Sequence, residues 1–387
     1  MNIAHWCNYS TAAIADRFEA LSFLIEFRHE LAPLYEALAT LLCFFGSVTN
    51  LTFVAVLCHP SMRSPINILL LFVAVCHIVT MLLHFTWRFV EYCHFKYYSS
   101  YAWAVFAAIY ASISVFAHSL SLWLTVLMAM VRYMIIRRNR SAAAYYFSGT
   151  KRVAKLSLLL AICLLLTCSL NILRNQIFSV RVPFCDENDH SFSMRYEVNP
   201  PSWWSCSLEK LNFWAAGILL KLVPCLLLSI FMSLLILSLL QAKKRHQRVM
   251  VNHQESPHDR TTVMLILIVL VFLITELPQG SLVLLAAADI VGAWVAYEQL
   301  AEFFNLLSLI NSCVNFILYC CMSEQFRHQF LHTFGLHRCA SLRRRMAMEP
   351  DDNKGPTECT SEIELRTPVT QQRTQSLSST VTCRTVL

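Results

Sequence analysis

The chain has 387 residues, of which 56% are hydrophobic and only 14% charged, where soluble domains carry roughly 25% charged residues. That balance excludes an ordinary soluble enzyme and points to a protein that crosses a membrane several times. The net charge of +7 is not a nucleic-acid signal, because the basic residues lie in short segments between apolar runs.

A helix needs about 20 apolar residues to cross the hydrocarbon core. Seven such runs follow one another, near 33–58, 65–92, 102–136, 153–175, 211–241, 261–288 and 298–321. A bilayer offers no partner to an unpaired backbone group, so each run is predicted to be a helix. With 7 Gly and 12 Pro against 25 Phe, these helices should be rich in aromatic contacts. The N-terminal stretch has no leader of charged then apolar residues. Its first apolar residues are broken by Asp16, Arg17, Glu19 and Glu26. The expected organisation is an all-α membrane protein: an extracellular N-terminus over 1–32, a seven-helix bundle over 33–321, an amphipathic surface helix over 322–336 and a disordered cytoplasmic tail over 337–387.

Orientation follows from lysine and arginine in the short loops. Arg63 follows the first run. Arg137, Arg138, Arg140, Lys151 and Arg152 follow the third. Lys243, Lys244, Arg245 and Arg248 follow the fifth, and Arg327 and Arg343 to Arg345 follow the seventh. These loops are expected in the cytosol, which puts the N-terminus outside, at the plasma membrane. Arg174, Arg181, Arg195 and Lys210 on the opposite side weaken the contrast. Outside, Asn8-Tyr9-Ser10 is a legal glycosylation sequon.

Local motifs come next. "GSVTN" puts Gly46 and Asn50 on one face of the first helix. "MVRYMIIRR" ends the third with Arg132 and Tyr133, Val131 preceding them. "KLVPCLLL" places Pro224 in the fifth, "TELPQG" places Glu276, Pro278 and Gln279 in the sixth, and "NSCVNFILY" places Asn315 and Tyr319 in the seventh. In this order they resemble the signature positions of rhodopsin-like G-protein-coupled receptors. The resemblance implies that Arg132 meets a heterotrimeric G protein. His77 stands where that class has an acid, so a sodium site would lack its carboxylate, the oxygen ligand a hard cation prefers. Ala107 stands where a third-helix cysteine is usual, and Glu276 where an aromatic switch is usual. A retinal protein would need a lysine in the last span, which has none. A transporter would show repeated halves, and none is visible.

The strings "HSLSLWLTVLMAMVRY", "NFWAAGILLKLVPCLLL", "DRTTVMLILIVLVFLITELPQG" and "LLSLINSCVNFILYCCMSEQFR" resemble the invertebrate FMRFamide and myosuppressin-type neuropeptide receptors over roughly residues 35 to 335. The resemblance implies an amidated ligand ending in Arg-Phe-amide and coupling to an inhibitory-type G protein. A nematode chemosensory receptor for a small environmental ligand is the alternative within the class, and a transporter the alternative outside it. No catalytic activity, cofactor or metal is expected.

Glu276 lies in the middle of an apolar run, where a charge costs at least about 2.5–3.5 kcal/mol. It should therefore face the interior, either protonated or paired. The rhodopsin-like frame places His118 opposite it. Three roles stay open: a His118–Glu276 switch, direct pairing with the guanidinium of the ligand, or a structural bond to a neighbouring helix. Tyr110, Trp87, Arg88, Glu91, Gln279, Glu298, Glu302 and Asn305 complete the candidate pocket, with Glu302 and Glu91 as shallower acids. Cys7, Cys93, Cys185 and Cys206 face outward and allow three full pairings; a bridge from Cys185 to Cys206, or from Cys93 to that loop, is expected to pin the second outer loop.

At the inner side, Asp259 is a candidate ion-pair partner of Arg132. Phe326, Phe330 and Phe334 line one face of a surface helix in contact with lipid. Cys339 is a palmitoylation candidate. Beyond residue 346 the chain turns polar. "SLSST" (Ser376 to Thr380) is a phosphorylation cluster suited to arrestin, and Thr385 and Leu387 fit the alternate pockets of a PDZ domain.

Overall fold

The computed structural model describes residues 22–93, 100–136, 149–183, 192–247, 257–288 and 291–335. All belong to one compact unit, Met1–His337, and the second unit, Arg338–Leu387, lies outside the described residues. Seven of the helices are long and apolar enough to cross a membrane. They are α1 (Ser22–Leu57), α2 (Pro65–Cys93), α3 (Tyr101–Ile136), α4 (Thr150–Arg174), α5, α6 (Pro257–Ala287) and α7 (Val291–Met322). A short α8 (Glu324–Thr333) follows, its first turn capped by the Ser323 hydroxyl, which accepts from the Phe326 N–H.

α5 is one continuous rod with an irregular middle. It is α-helical over Cys206–Ala215, π-helical over Ala216–Leu222 and α-helical again over Val223–Gln247. Pro224 explains the break, since proline has no N–H to give. The Val223 N–H donates to Ile218 O, five residues back. In that wider register the next carbonyl, Leu219 O, would need the N–H of Pro224. The indole Nε1–H of Trp123 on α3 donates to it instead, at 3.0 Å.

Helix starts were the less legible feature. α1 begins at Ser22, eleven residues before the apolar run expected at 33, and carries Pro33 inside it. Its first turns expose Glu26, Arg28, His29 and Glu30, so polarity there marks helix outside the hydrocarbon rather than the absence of helix. α6 likewise starts at Pro257, before the apolar run at 261.

Between α4 and α5 the chain forms an antiparallel hairpin of β1 (Gln176–Pro183) and β2 (Phe192–Asn199), with Gln176 opposite Asn199 and Val180 opposite Arg195. At its base Arg174 Nε donates to both oxygens of Glu209, at 3.0 and 2.9 Å. Trp204 Nε1 donates to the same carboxylate at 2.7 Å. One buried acid thus ties the end of α4 to the start of α5, and Arg174 is a neutralised charge.

The bundle is apolar outside as well as inside. Leu158, Leu159, Leu165 and Leu166 of α4 and Phe44, Phe45 and Leu51 of α1 are exposed, as lipid contact requires. Helices in lipid gain little from the hydrophobic effect and associate through packing and hydrogen bonds. The main packed cluster lies toward the α8 end and joins Phe53, Leu70, Leu124, Met128, Leu228, Phe272, Tyr319 and Phe326. Phe53 sits 5.1 Å from Phe326 and 5.5 Å from Tyr319, ring centre to ring centre. Gly46 allows α1 to approach α2 and α7, since a Cβ there would fall 2.5 Å from Met81 Cε and 2.9 Å from Cys313 Sγ. The Asn50 side-chain amide donates to Gly46 O at 2.8 Å and to Ser312 O at 3.3 Å, clamping α1 to α7.

Truncating Phe53 should therefore loosen α8 along with the core. Phe53→Ala is expected to cost about 3–5 kcal/mol, read as a lower melting temperature of the detergent-solubilised protein. A change within the scatter of exposed-site controls such as Leu166→Ala would contradict this packing role.

Candidate functional site

The polar centre of the bundle is built by α3, α5 and α6. Glu276 on α6 is fully buried. Its Oε2 lies 2.5 Å from Nζ of Lys221 on α5 and 3.2 Å from Nε2 of His118 on α3. Lys221 Nζ is also 2.9 Å from His118 Nε2 and 2.8 Å from Gln279 Oε1. An ammonium has three protons to give, and three acceptors surround this one. The arrangement is coherent when Lys221 donates to Glu276, Gln279 and His118, with His118 accepting at Nε2; that tautomer is assigned from the network. The two sequence candidates His118 and Glu276 are thus together, with Lys221 between them.

Lys221 escaped the sequence reading. Its signal was there, a lone cation in "GILLKLVP", as unusual in hydrocarbon as Glu276 itself. The "ELPQG" string makes sense once Lys221 is placed. Glu276 and Gln279 are two of its acceptors, and Gly280 gives it room, because a Cβ there would stand 3.0 Å from Lys221 Cβ.

Above this triad, toward the hairpin end, lies a cavity of about 210 Å3 whose walls include His84, Tyr110, His118, Lys221, Gln279 and Asn305. Glu276 is not on its wall and lies behind Lys221. A wider cavity of about 500 Å3 opens beside it, reached by Arg174, Asn212, Phe213, Glu298 and Gln299. The two share Val115, Ala216, Leu220, Val283 and Tyr297 on their walls, so they adjoin.

The rim candidates divide. Tyr110 Oη is 2.7 Å from His84 Nδ1, and the Tyr110 ring stacks on Trp87 at 4.9 Å. Trp87 in turn meets Trp103 at 4.9 Å. Arg88 is partly buried and pairs with Glu302 at 2.6 Å and Glu91 at 2.9 Å, with Glu36 at 3.8 Å. The expected shallower acids, Glu91 and Glu302, are therefore already held by a guanidinium of the protein's own, which joins α1, α2 and α7. Asn305 lines the small cavity and Glu298 the large one.

At the opposite end Arg132 donates to the Tyr319 hydroxyl, and both line a cavity of about 580 Å3 with Arg63, Asn67 and Glu324. Tyr133 is buried against the core. The side chains of Asp259, Asn315 and Cys93 lie outside the described residues, so the expected Arg132–Asp259 pair does too. His77 is buried, and its Nδ1, Asn50 Oδ1 and Ser47 Oγ find no hydrogen-bond partner among the described side chains. Cys206 is in a disulfide, whose other end is not among the described side chains. Asn8, Cys185, Cys339, Thr385 and Leu387 also lie outside. Among the described residues no group of histidines, cysteines and carboxylates could hold a metal ion.

Comparison with known proteins places this geometry. Residues 37–337 match the family of serpentine type seven-transmembrane G-protein-coupled chemoreceptors, Srw. The G-protein coupled receptor dmsr-1 of Caenorhabditis elegans is 28% identical over 85% of this chain and 74% of its own length. The sex peptide receptor of Drosophila melanogaster is 25% identical over 78% and 72%. The FMRFamide receptor of the same fly is 25% identical over 79% of this chain and 53% of its own. The chain belongs to the Srw family: it is a multi-pass membrane receptor of the G-protein-coupled class, a class of signalling receptors rather than enzymes.

The position of Lys221 should depend on Gly280. Gly280→Val is expected to push α5 off α6 and lower the melting temperature by several degrees. Ser281→Val, one residue on and exposed, should stay near wild type. Equal melting temperatures for the two variants would contradict the close approach.

Proposed function

We propose that this member of the Srw family is a plasma-membrane receptor for an amidated neuropeptide of the Arg-Phe-amide type, with its N-terminus outside. The observation that carries the reading is the pair of adjoining cavities at the hairpin end. The wide one suits several residues of peptide, and the small one ends on Lys221 and His118, with Glu276 behind them. Two relatives named for peptide ligands, the sex peptide receptor and the FMRFamide receptor, support the ligand class.

In this reading Tyr110, stacked on Trp87, forms the aromatic wall, and Gln279 and Asn305 supply amide partners at the inner end. Arg88 holds Glu91 and Glu302, so a guanidinium of the ligand must share those acids with it, and Glu298 on the wide cavity is a further acid it would share. Glu276 acts as an internal switch beneath the cavity. Ligand binding moves α6 at Pro278 and opens the space around Arg132, Tyr133, Tyr319, Asn315 and Asp259 to a G-protein α-subunit; an inhibitory-type subunit is the one proposed. Pro224, Asn50 and His77 shape the helices that carry this motion. A bridge from Cys206 to Cys185 or Cys93 holds the hairpin, and Asn8 carries a glycan. The tail binds arrestin once its "SLSST" cluster is phosphorylated, Cys339 and α8 hold it to lipid, and Thr385 and Leu387 engage a PDZ protein.

A second reading has one observation in its favour. The inner cavity, about 210 Å3, is small beside the roughly 300–1,000 Å3 of ordinary ligand pockets and would suit a small chemosensory ligand. The two separate in one assay. Cells expressing the chain at their surface should activate a G-protein reporter when given Arg-Phe-amide peptides and not when given the same peptides as free acids. Silence toward both would favour the small-molecule reading.

A further inference from the structure

The inner cavity has a charge balance that bears on which end of a ligand it accepts. Lys221 is the one lysine or arginine among the described residues on its wall, and no carboxylate lines it. The Lys221 ammonium is already matched by Glu276 at 2.5 Å. Glu276 itself is shut off behind it, with no exposed surface. The neighbouring wall is neutral and hydrogen-bonding, with Gln279, Asn305, Ser114 and Ser308, backed by Val283 and Leu309. In size, about 210 Å3 compares with the roughly 150 Å3 cavity that takes a benzene ring. One aromatic ring and a small polar group fill it.

Resting on the peptide reading above, we propose that the Lys221–Glu276 pair makes this cavity a socket for a neutral carboxamide end and sets its selectivity against a free carboxylate. A terminal amide oxygen takes the Lys221 proton now given to Gln279, while its NH2 donates to the freed Gln279 oxygen or to Asn305, and the charge of the site does not change. A terminal carboxylate would place a second anion on an ammonium that Glu276 already neutralises. Like charges sharing one partner in a dry interior repel, and the entering carboxylate would also lose its water. Glu276 acts here through Lys221 and is a positioning residue, because it does not reach the ligand.

The argument predicts a change of preference that mere damage would not produce. Glu276→Gln keeps the shape and an acceptor for Lys221 but removes the matching charge. The free ammonium should then welcome a carboxylate. The test applies Phe-Met-Arg-Phe-amide and its free acid to the full-length receptor in cells, reading G-protein activation. Wild type should respond to the amide. Glu276→Gln should narrow the amide-to-acid ratio of potencies by at least roughly tenfold, the scale of one hydrogen bond to a charged group. The Lys221→Gln/Glu276→Gln double variant, with no ammonium, should show no gain toward the acid. If Glu276→Gln does not reach the surface, Asn305→Lys adds an unmatched ammonium to the same wall and should produce the same gain. An amide-responsive wild type whose ratio is unmoved by these variants would overturn the inference and leave the peptide reading standing. A surface-expressed wild type silent to both peptides would instead remove that reading, and the inference with it.

Discussion

A single ammonium–carboxylate contact, Lys221 to Glu276, decides how the middle of this bundle is put together. Either charge alone at mid-membrane would cost at least about 2.5–3.5 kcal/mol, so each requires the other. The contact sits where the backbone departs from regular helix. α5 leaves its regular register over Ala216–Leu222, the segment that contains Lys221. α6 needs Gly280 where the two helices meet. His118 and Gln279 complete the ammonium's three bonds. Much of the "ELPQG" string is then explained by one cation on a different helix.

The contact also divides the molecule. On the hairpin side lie the two cavities, and on the α8 side lies the main packed core with Arg132 and Tyr319 beyond it. A group that binds next to Lys221 touches a polar element shared by α3, α5 and α6. A change there has a direct mechanical route to α6, the helix loosened by Pro278 two residues past Glu276. Arg88 plays a related part nearer the surface, joining α1, α2 and α7 through Glu36, Glu91 and Glu302. Those acids are 39–58% exposed, so water screens that network and it contributes less to stability than a buried pair.

The spans were legible in the sequence because hydrocarbon thickness fixes their length, and the seven apolar runs correspond to α1–α7. The Glu276 anomaly was legible because an acid in lipid is conspicuous. Its neighbour His118 was found only by aligning motifs on a known frame. Lys221 was missed for a physical reason: one residue in a helix says nothing of which face it occupies once the register slips, and the π-helical turn before Pro224 sets that face. The partners of Arg88 and Glu209 were hidden for another reason. They come from helices and loops far apart in the chain, and only tertiary packing brings them together. The apolar run marked the first span only from residue 33, because the polar residues before it carry no hydropathy signal, yet outside the hydrocarbon they are compatible with helix.

The most direct test of this account is a double-mutant cycle on Lys221 and Glu276, read as thermal unfolding of the purified receptor in detergent without ligand. Lys221→Met and Glu276→Gln should each cost about 3–5 kcal/mol by stranding a buried charge or its partner, and the double variant should recover most of that loss. Additive losses, with the double variant the least stable of the four, would contradict the claim that these two residues hold the centre of the bundle together.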